Sequence, residues 1–188
     1  DLTQETITLY LHHAFAGMER VLDRLDDERV NQKPAGWGTN SVAGLIVHCC
    51  ELAPSWFEMP GLGRDSDRNR DAEFTATATV AELRERIGAS AARCDELVAE
   101  FTTGPTATDH PFRDFMPGAD RTDGALVIHV LEELFQHLGH MEVTADAVAT
   151  ARVGSLANLS AQLMIVRLCD DMPRGAMAAA ERTIHSRA

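Results

Sequence analysis

Four long stretches of this chain repeat apolar side chains every three or four residues, and none alternates apolar with polar residues as a half-buried strand does. A chain patterned in this way buries one stripe per helix against its neighbours, so the class read from it is all-α. The first stretch, residues 2–26, places Ile7, Leu11, Ala14, Phe15, Met18, Val21, Leu22 and Leu25 on one face. The second follows a loop marked by Pro34, Gly36 and Gly38 and takes Asn40 or Ser41 as its cap. It carries Val42, Leu45, Ile46, Cys49, Leu52, Ala53 and Trp56, with Pro54 placed to bend its end. Thr79-Val80-Ala81-Glu82 is a capping box, and Val80, Leu83, Ile87, Ala91, Cys94, Val98 and Phe101 continue from it as the clearest helix in the sequence. The fourth stretch starts at Thr122 or Asp123 and extends to about residue 148.

Two connections lack any period. Residues 59–78 are long enough for the chain to cross a bundle, and residues 102–121, with Pro105, Pro111, Pro117 and Gly118, are expected to lie over one end. After Gly154 a shorter helix over residues 156–170 and a last one over 176–187 are expected. The 188 residues, 45% of them hydrophobic, suit one compact domain with a proper core, and no linker divides it.

The net charge of −12, with Lys33 the sole lysine, repels a row of phosphates, so nucleic acid is not an expected partner. No apolar run spans a bilayer and no basic segment leads an apolar run at the start, so no membrane association is expected and the expected location is cytoplasmic. Cys49, Cys50, Cys94 and Cys169 show no CxxC spacing and are read as reduced and buried.

The chemistry concentrates in the run from His129 to His140. Each helical residue advances about 100°, so with His129 at zero, Glu133 falls at about 40°, His137 at about 80° and His140 at about 20°. These four share one narrow stripe at the border of the apolar face formed by Val127, Val130, Leu131, Leu134, Leu138 and Met141. Side chains four apart stand one above the other, which suits chelation of one ion. On the second helix, His48 lies about 40° beyond the edge of the apolar face at Leu52, where one imidazole can face that stripe. Two neutral imidazoles and a carboxylate leave a position for water or a thiolate on zinc or a similar ion.

Each residue also has a plainer reading as a polar helix residue satisfied by a hydrogen bond. His140 can replace Glu133 as a ligand or hydrogen-bond a ligand. His129 reads equally as a solvated histidine or as a residue of the cleft mouth. His12 and His13 are adjacent, so at most one faces inward, and the surface is the default. Cys49 and Cys50 stand about 100° and 200° from His48, which makes shared ligation poor and packing the better account. Trp37 and Trp56 read as anchors of the loop and the helix end, and Arg113 and Arg121 as candidates for holding a substrate carboxylate.

The stretch Trp37-Gly38-Thr39-Asn40-Ser41-Val42-Ala43-Gly44-Leu45-Ile46-Val47-His48, followed by Glu51 and Trp56-Phe57-Glu58, resembles the first motif of the DinB/YfiT-like superfamily. The later run Glu133-Leu134-Phe135-Gln136-His137-Leu138-Gly139-His140-Met141-Glu142 resembles its second motif. The form is that of the branch near the mycothiol-dependent maleylpyruvate isomerases and the mycothiol S-transferases, although Gln136 stands where relatives often carry arginine. The resemblance implies a four-helix bundle in up-down-down-up order over residues 1–150; residues 151–188 have no counterpart in it and are expected, from their own pattern, to form an additional C-terminal helical segment packed on the same domain. It also implies a homodimer and a divalent metal held by His48, Glu133 and His137. Zinc is the expected ion, with nickel, manganese or iron as alternatives.

The function expected on that basis is a metal-dependent S-transferase or isomerase. It would use a low-molecular-weight thiol, mycothiol first, on a small electrophile, with His140 acting nearby as acid, base or orienting group. The alternative is a stress-associated bundle without turnover, acting as a sensor or interaction module.

Overall fold

The computed structural model describes residues 2–36 and 38–150. The helices expected over 156–170 and 176–187, Cys169 and Trp37 lie outside the described residues. Four long helices form the body: α1 (Gln4–Leu22), α2 (Val42–Trp56), α4 (Val80–Thr103) and α5 (Asp123–Thr150), with a single-turn α3 (Arg70–Glu73) in the first long connection. No strand occurs among the described residues.

The helices begin where side chains can satisfy the backbone N–H groups that have no intrahelical partner. Thr3 Oγ1 accepts from Thr6 N at 3.2 Å, Ser41 Oγ from Gly44 N at 3.1 Å and Thr122 Oγ1 from Ala125 N at 3.2 Å. At Thr79 the capping box is complete, with Glu82 returning a carboxylate to Thr79 N at 2.7 Å. The first helix is shorter than the periodicity suggests. Thr3 caps it from outside, and Asp26 Oδ1 accepts from Arg29 N at 2.8 Å to start a new turn, while Leu25 still packs on the core.

Pairs of side chains set the directions. His12 meets Asp95 and Asp23 meets Arg84, so α1 and α4 run antiparallel. Arg24 reaches Asp146 and His13 lies against Phe135, so α1 and α5 run parallel. Glu51 pairs with Arg86 and Phe57 with Phe101, which makes α2 parallel to α4, whereas His48 beside His137 and Trp56 beside His129 make α2 antiparallel to α5. Because α1 and α2 each pack on both α4 and α5, they stand diagonally, and the order is up-down-down-up. Gly17 permits the close approach of α1 and α5, since a Cβ there would stand 2.4 Å from Leu138 Cδ2.

The second helix departs from the amphipathic expectation. Every residue from 41 to 50 is buried, because the connection after α2 folds back over its third side. Pro54 has no N–H for the carbonyl of Cys50, and the hydroxyl of Ser90 on α4 supplies the missing donor at 2.9 Å. Thus α2 continues past the proline and ends in a wide π-type turn, Phe57–Gly61. Residues 102–121 do lie across one end, through short 3-10 turns at Pro111–Phe115 and Pro117–Ala119.

Candidate metal centre

Antiparallel packing of α2 against α5 brings His48 level with Glu133 and His137. One potential ligand atom from each lies within 4.8 Å of the others, close to the span of two zinc bonds of about 2.0–2.2 Å each. The imidazoles of His48 and His137 meet edge to face with centroids 4.6 Å apart, and His137 Nε2 lies 3.4 Å from Glu133 Oε2. The His48 side chain is 1% exposed, against 16% for His137 and 23% for Glu133, so the cluster is sealed on the α2 side and open on the α5 side. That asymmetry leaves room for an exchangeable ligand.

Two atoms of the cluster carry the diagnostic. His48 Nε2 and His137 Nδ1 are buried with no hydrogen-bond partner. Buried polar atoms in folded proteins are nearly always paired, and leaving one unpaired costs about 1–3 kcal/mol. A cation held among His48, Glu133 and His137 would give the bare His48 Nε2 a partner, and two imidazoles with one carboxylate are a donor set that zinc accepts. The residues present therefore fit a divalent metal.

The connection after α2 supplies the support. It crosses α2 at Gly44, where a Cβ would stand 3.2 Å from the carbonyl oxygen of Phe74, and lays the Phe74 ring on His48 with centroids 4.4 Å apart. Glu73, at the end of α3, places Oε2 2.7 Å from His48 Nδ1. Arg68 grips the same carboxylate with Nε to Oε1 at 2.7 Å and Nη2 to Oε2 at 2.9 Å. Neither Glu73 nor Arg68 stands out in the sequence, because their segment has no period and their partners are distant along the chain.

The electrostatics agree with ligand duty. Burial drives the His48 imidazole down to about 4, aided by the charges of His137 and Arg68 and opposed by Glu73, so it is neutral at physiological pH. Burial alone would raise the Glu133 carboxyl, but its hydrogen bond to His137 and the neighbouring imidazoles hold it below its ordinary value. Glu73 is likewise held low, its burial outweighed by hydrogen bonds from His48 and Arg68.

The remaining candidates fall elsewhere. His140 sits half-buried on α5 and is not part of the group that includes Glu133. His129 is not solvated: it is 6% exposed, with its ring edge-on to Trp56 at 4.5 Å, because antiparallel α5 carries it down against the end of α2. His12 is an exposed partner of Asp95. Cys49, Cys50 and Cys94 are buried and free, with burial raising all three thiols, Cys50 and Cys94 to about 12. They pack rather than react.

Arg113 and Arg121 do not face a substrate. Arg113 is fully buried and donates to the carbonyls of Pro60 at 2.7 Å and Arg121 at 2.8 Å, while its Nη2 pairs with Asp123 at 2.8 Å. Arg121 donates to the carbonyls of Thr108 and His110 and pairs with Asp114. Their charges are spent on closing the second connection.

Fold and site together define a DinB-type helical bundle with a three-residue, metal-capable cleft between α2 and α5. The family model described as mycothiol-S-transferase matches residues 6–149, and the chain belongs to that family. The match covers all four long helices except the first two residues of α1 and the last of α5. No curated protein and no solved structure matches the chain. Among the described residues, no helix is long and apolar enough to cross a membrane.

Proposed function

We propose that this protein is a divalent-metal-dependent S-transferase that joins mycothiol, or a similar low-molecular-weight thiol, to a small electrophile. His48, Glu133 and His137 hold the ion. Zinc suits the donor set best, and nickel, manganese or iron also accept it. The observation that carries the reading is the grouping of His48, whose Nε2 is buried without a partner, with His137 and Glu133 at a cleft that stays open on the α5 side.

When bound, the ion supplies the Lewis acidity that favours thiolate over thiol at neutral pH. The chain's own thiols do not compete for the electrophile, because Cys49, Cys50 and Cys94 are buried and kept protonated. The sealed α2 side, with Phe74 stacked on His48, keeps water from that face of the imidazole. His140, one turn beyond His137, takes the thiol proton or orients a bound group as sulfur bonds to the electrophilic carbon and the leaving group departs with the electron pair of the bond it breaks. Exposed Leu9, Tyr10 and Ile128 on α1 and α5 support assembly as a homodimer, for which light scattering at micromolar concentration should give a two-chain mass.

Metal analysis of purified protein, paired with mycothiol conjugation to a generic alkylating electrophile, tests the reading. One ion per chain and a turnover lost to chelator and restored by zinc are expected. Equal turnover with and without chelator overturns the proposal, and a bound ion with no conjugation leaves only a metal-binding bundle.

A further inference from the structure

His48 Nδ1 has two groups within hydrogen-bond reach, and they demand opposite tautomers. Glu73 Oε2, at 2.7 Å, is a carboxylate oxygen that only accepts, so it requires the proton on Nδ1. Arg68 Nη2, at 3.2 Å, only donates, so a bond from it requires a bare Nδ1 and puts the proton on Nε2. In that second state two lone pairs face each other across the 2.7 Å contact, and an N–H at Nε2 is buried where no partner meets it. In the first, a charge-assisted bond of ordinary length forms and Nε2 keeps its lone pair. Arg68 already has better work, donating through Nε and Nη2 to both oxygens of Glu73.

We propose that Glu73, clamped by Arg68, is a positioning residue that fixes His48 as the Nδ1–H tautomer and keeps its Nε2 lone pair turned to the cleft before any ion arrives. Its purpose rests on the metal reading above, whereas the tautomer itself does not. A protein that must select the tautomer during binding gives up part of its affinity to that selection, and loss of such supporting contacts typically weakens metal binding by about 10–100-fold.

The test uses the full chain, freed of metal and labelled with nitrogen-15 in histidine. Nuclear magnetic resonance of the wild type should show the His48 proton on Nδ1. In Glu73→Gln that preference should be lost, and zinc affinity, measured by competition with a chromogenic chelator, should fall by about 10–100-fold. Phe74→Leu, which alters packing on the same ring but removes no hydrogen bond, should leave the tautomer as it is. A wild-type proton on Nε2 overturns the inference, as does a Glu73→Gln chain with unchanged tautomer and affinity. The wild-type reading needs no variant, so a poorly folding mutant does not shield the idea. Wild-type protein with the Nδ1–H tautomer that binds no zinc overturns the metal assignment alone.

Discussion

Arg113 and His48 are both almost wholly buried polar side chains, and each is tied to one of the two long connections, yet their surroundings differ in kind. Around Arg113 two backbone carbonyls accept from the guanidinium, and the two atoms left without a hydrogen bond, Arg113 Nη2 and Asp123 Oδ1, stand 2.8 Å apart as an ion pair, so the result is a knot joining the turn after α2 to the start of α5. Around His48 only one ring nitrogen is satisfied; the other, Nε2, is bare, as is Nδ1 of the neighbouring His137 ring. The first arrangement sets its two unbonded atoms against each other as opposite charges. The second keeps lone pairs that a protein interior normally pairs away, and such an excess is the physical mark of a ligand site. Burial of polar groups alone does not separate structure from function.

Several experiments can break or sharpen that contrast. The largest effect should come from His48→Ala, which removes the most buried donor. Conjugation should fall on the order of a thousandfold, the equivalent of several kcal/mol of lost electrostatic catalysis, and no ion should copurify. A variant that keeps both its metal and its turnover would place the site elsewhere.

Arg113→Met should act on stability instead, lowering the free energy of unfolding in urea by about 2–4 kcal/mol as two carbonyls lose their donor. That range is set below a fully buried pair because Asp123 is 43% exposed. The surviving folded protein should bind zinc as the wild type does, and a matching loss of zinc affinity would show that the knot also serves the site.

Zinc at a hundred times its dissociation constant should stabilise the wild type by about 2.7 kcal/mol, read as a higher melting temperature, and should do nothing for His48→Ala. An identical shift in both proteins would mean that the ion binds other groups. His140→Ala should retain the metal and lose about tenfold in conjugation, because the proposal gives the residue a supporting role in the reaction and no place among the ligands. Unchanged steady-state rates in that variant would remove it from the reaction. The smallest expected effect is none at all: with a net charge of −12, titration with DNA or RNA at low salt should show no binding, and micromolar affinity that weakens as salt is added would reveal a basic face that this reading lacks.

Much of the bundle was legible in the sequence because helices advertise themselves locally. Capping by Ser41 and by the Thr79–Glu82 box, and stripes such as Leu83, Ile87, Cys94 and Val98, depend on residues three or four positions apart, and they form where the sequence puts them. Helix geometry put His129, Glu133, His137 and His140 on one stripe in the same way, with His48 able to face it, and the likeness of two motifs singled out His48, Glu133 and His137. The environment of these residues was another matter. Nothing local marks Glu73 or Arg68 as the support of His48, reveals that every residue from 41 to 50 would be buried, sends Arg113 inward, or presses His129 against Trp56.

The sequence by itself thus determined the helices, their caps and the residue types able to hold an ion, because those follow from short-range periodicity and side-chain chemistry. Which of the four metal-capable residues of α5 converge on His48, which of its nitrogens stays bare, and which arginine is spent on structure were decided only by the tertiary structure. Each depends on contacts between residues far apart in the chain, such as His48 with Glu73 and His137, or Arg113 with Pro60. Burial and hydrogen bonding come into being only when the up-down-down-up order brings those segments together.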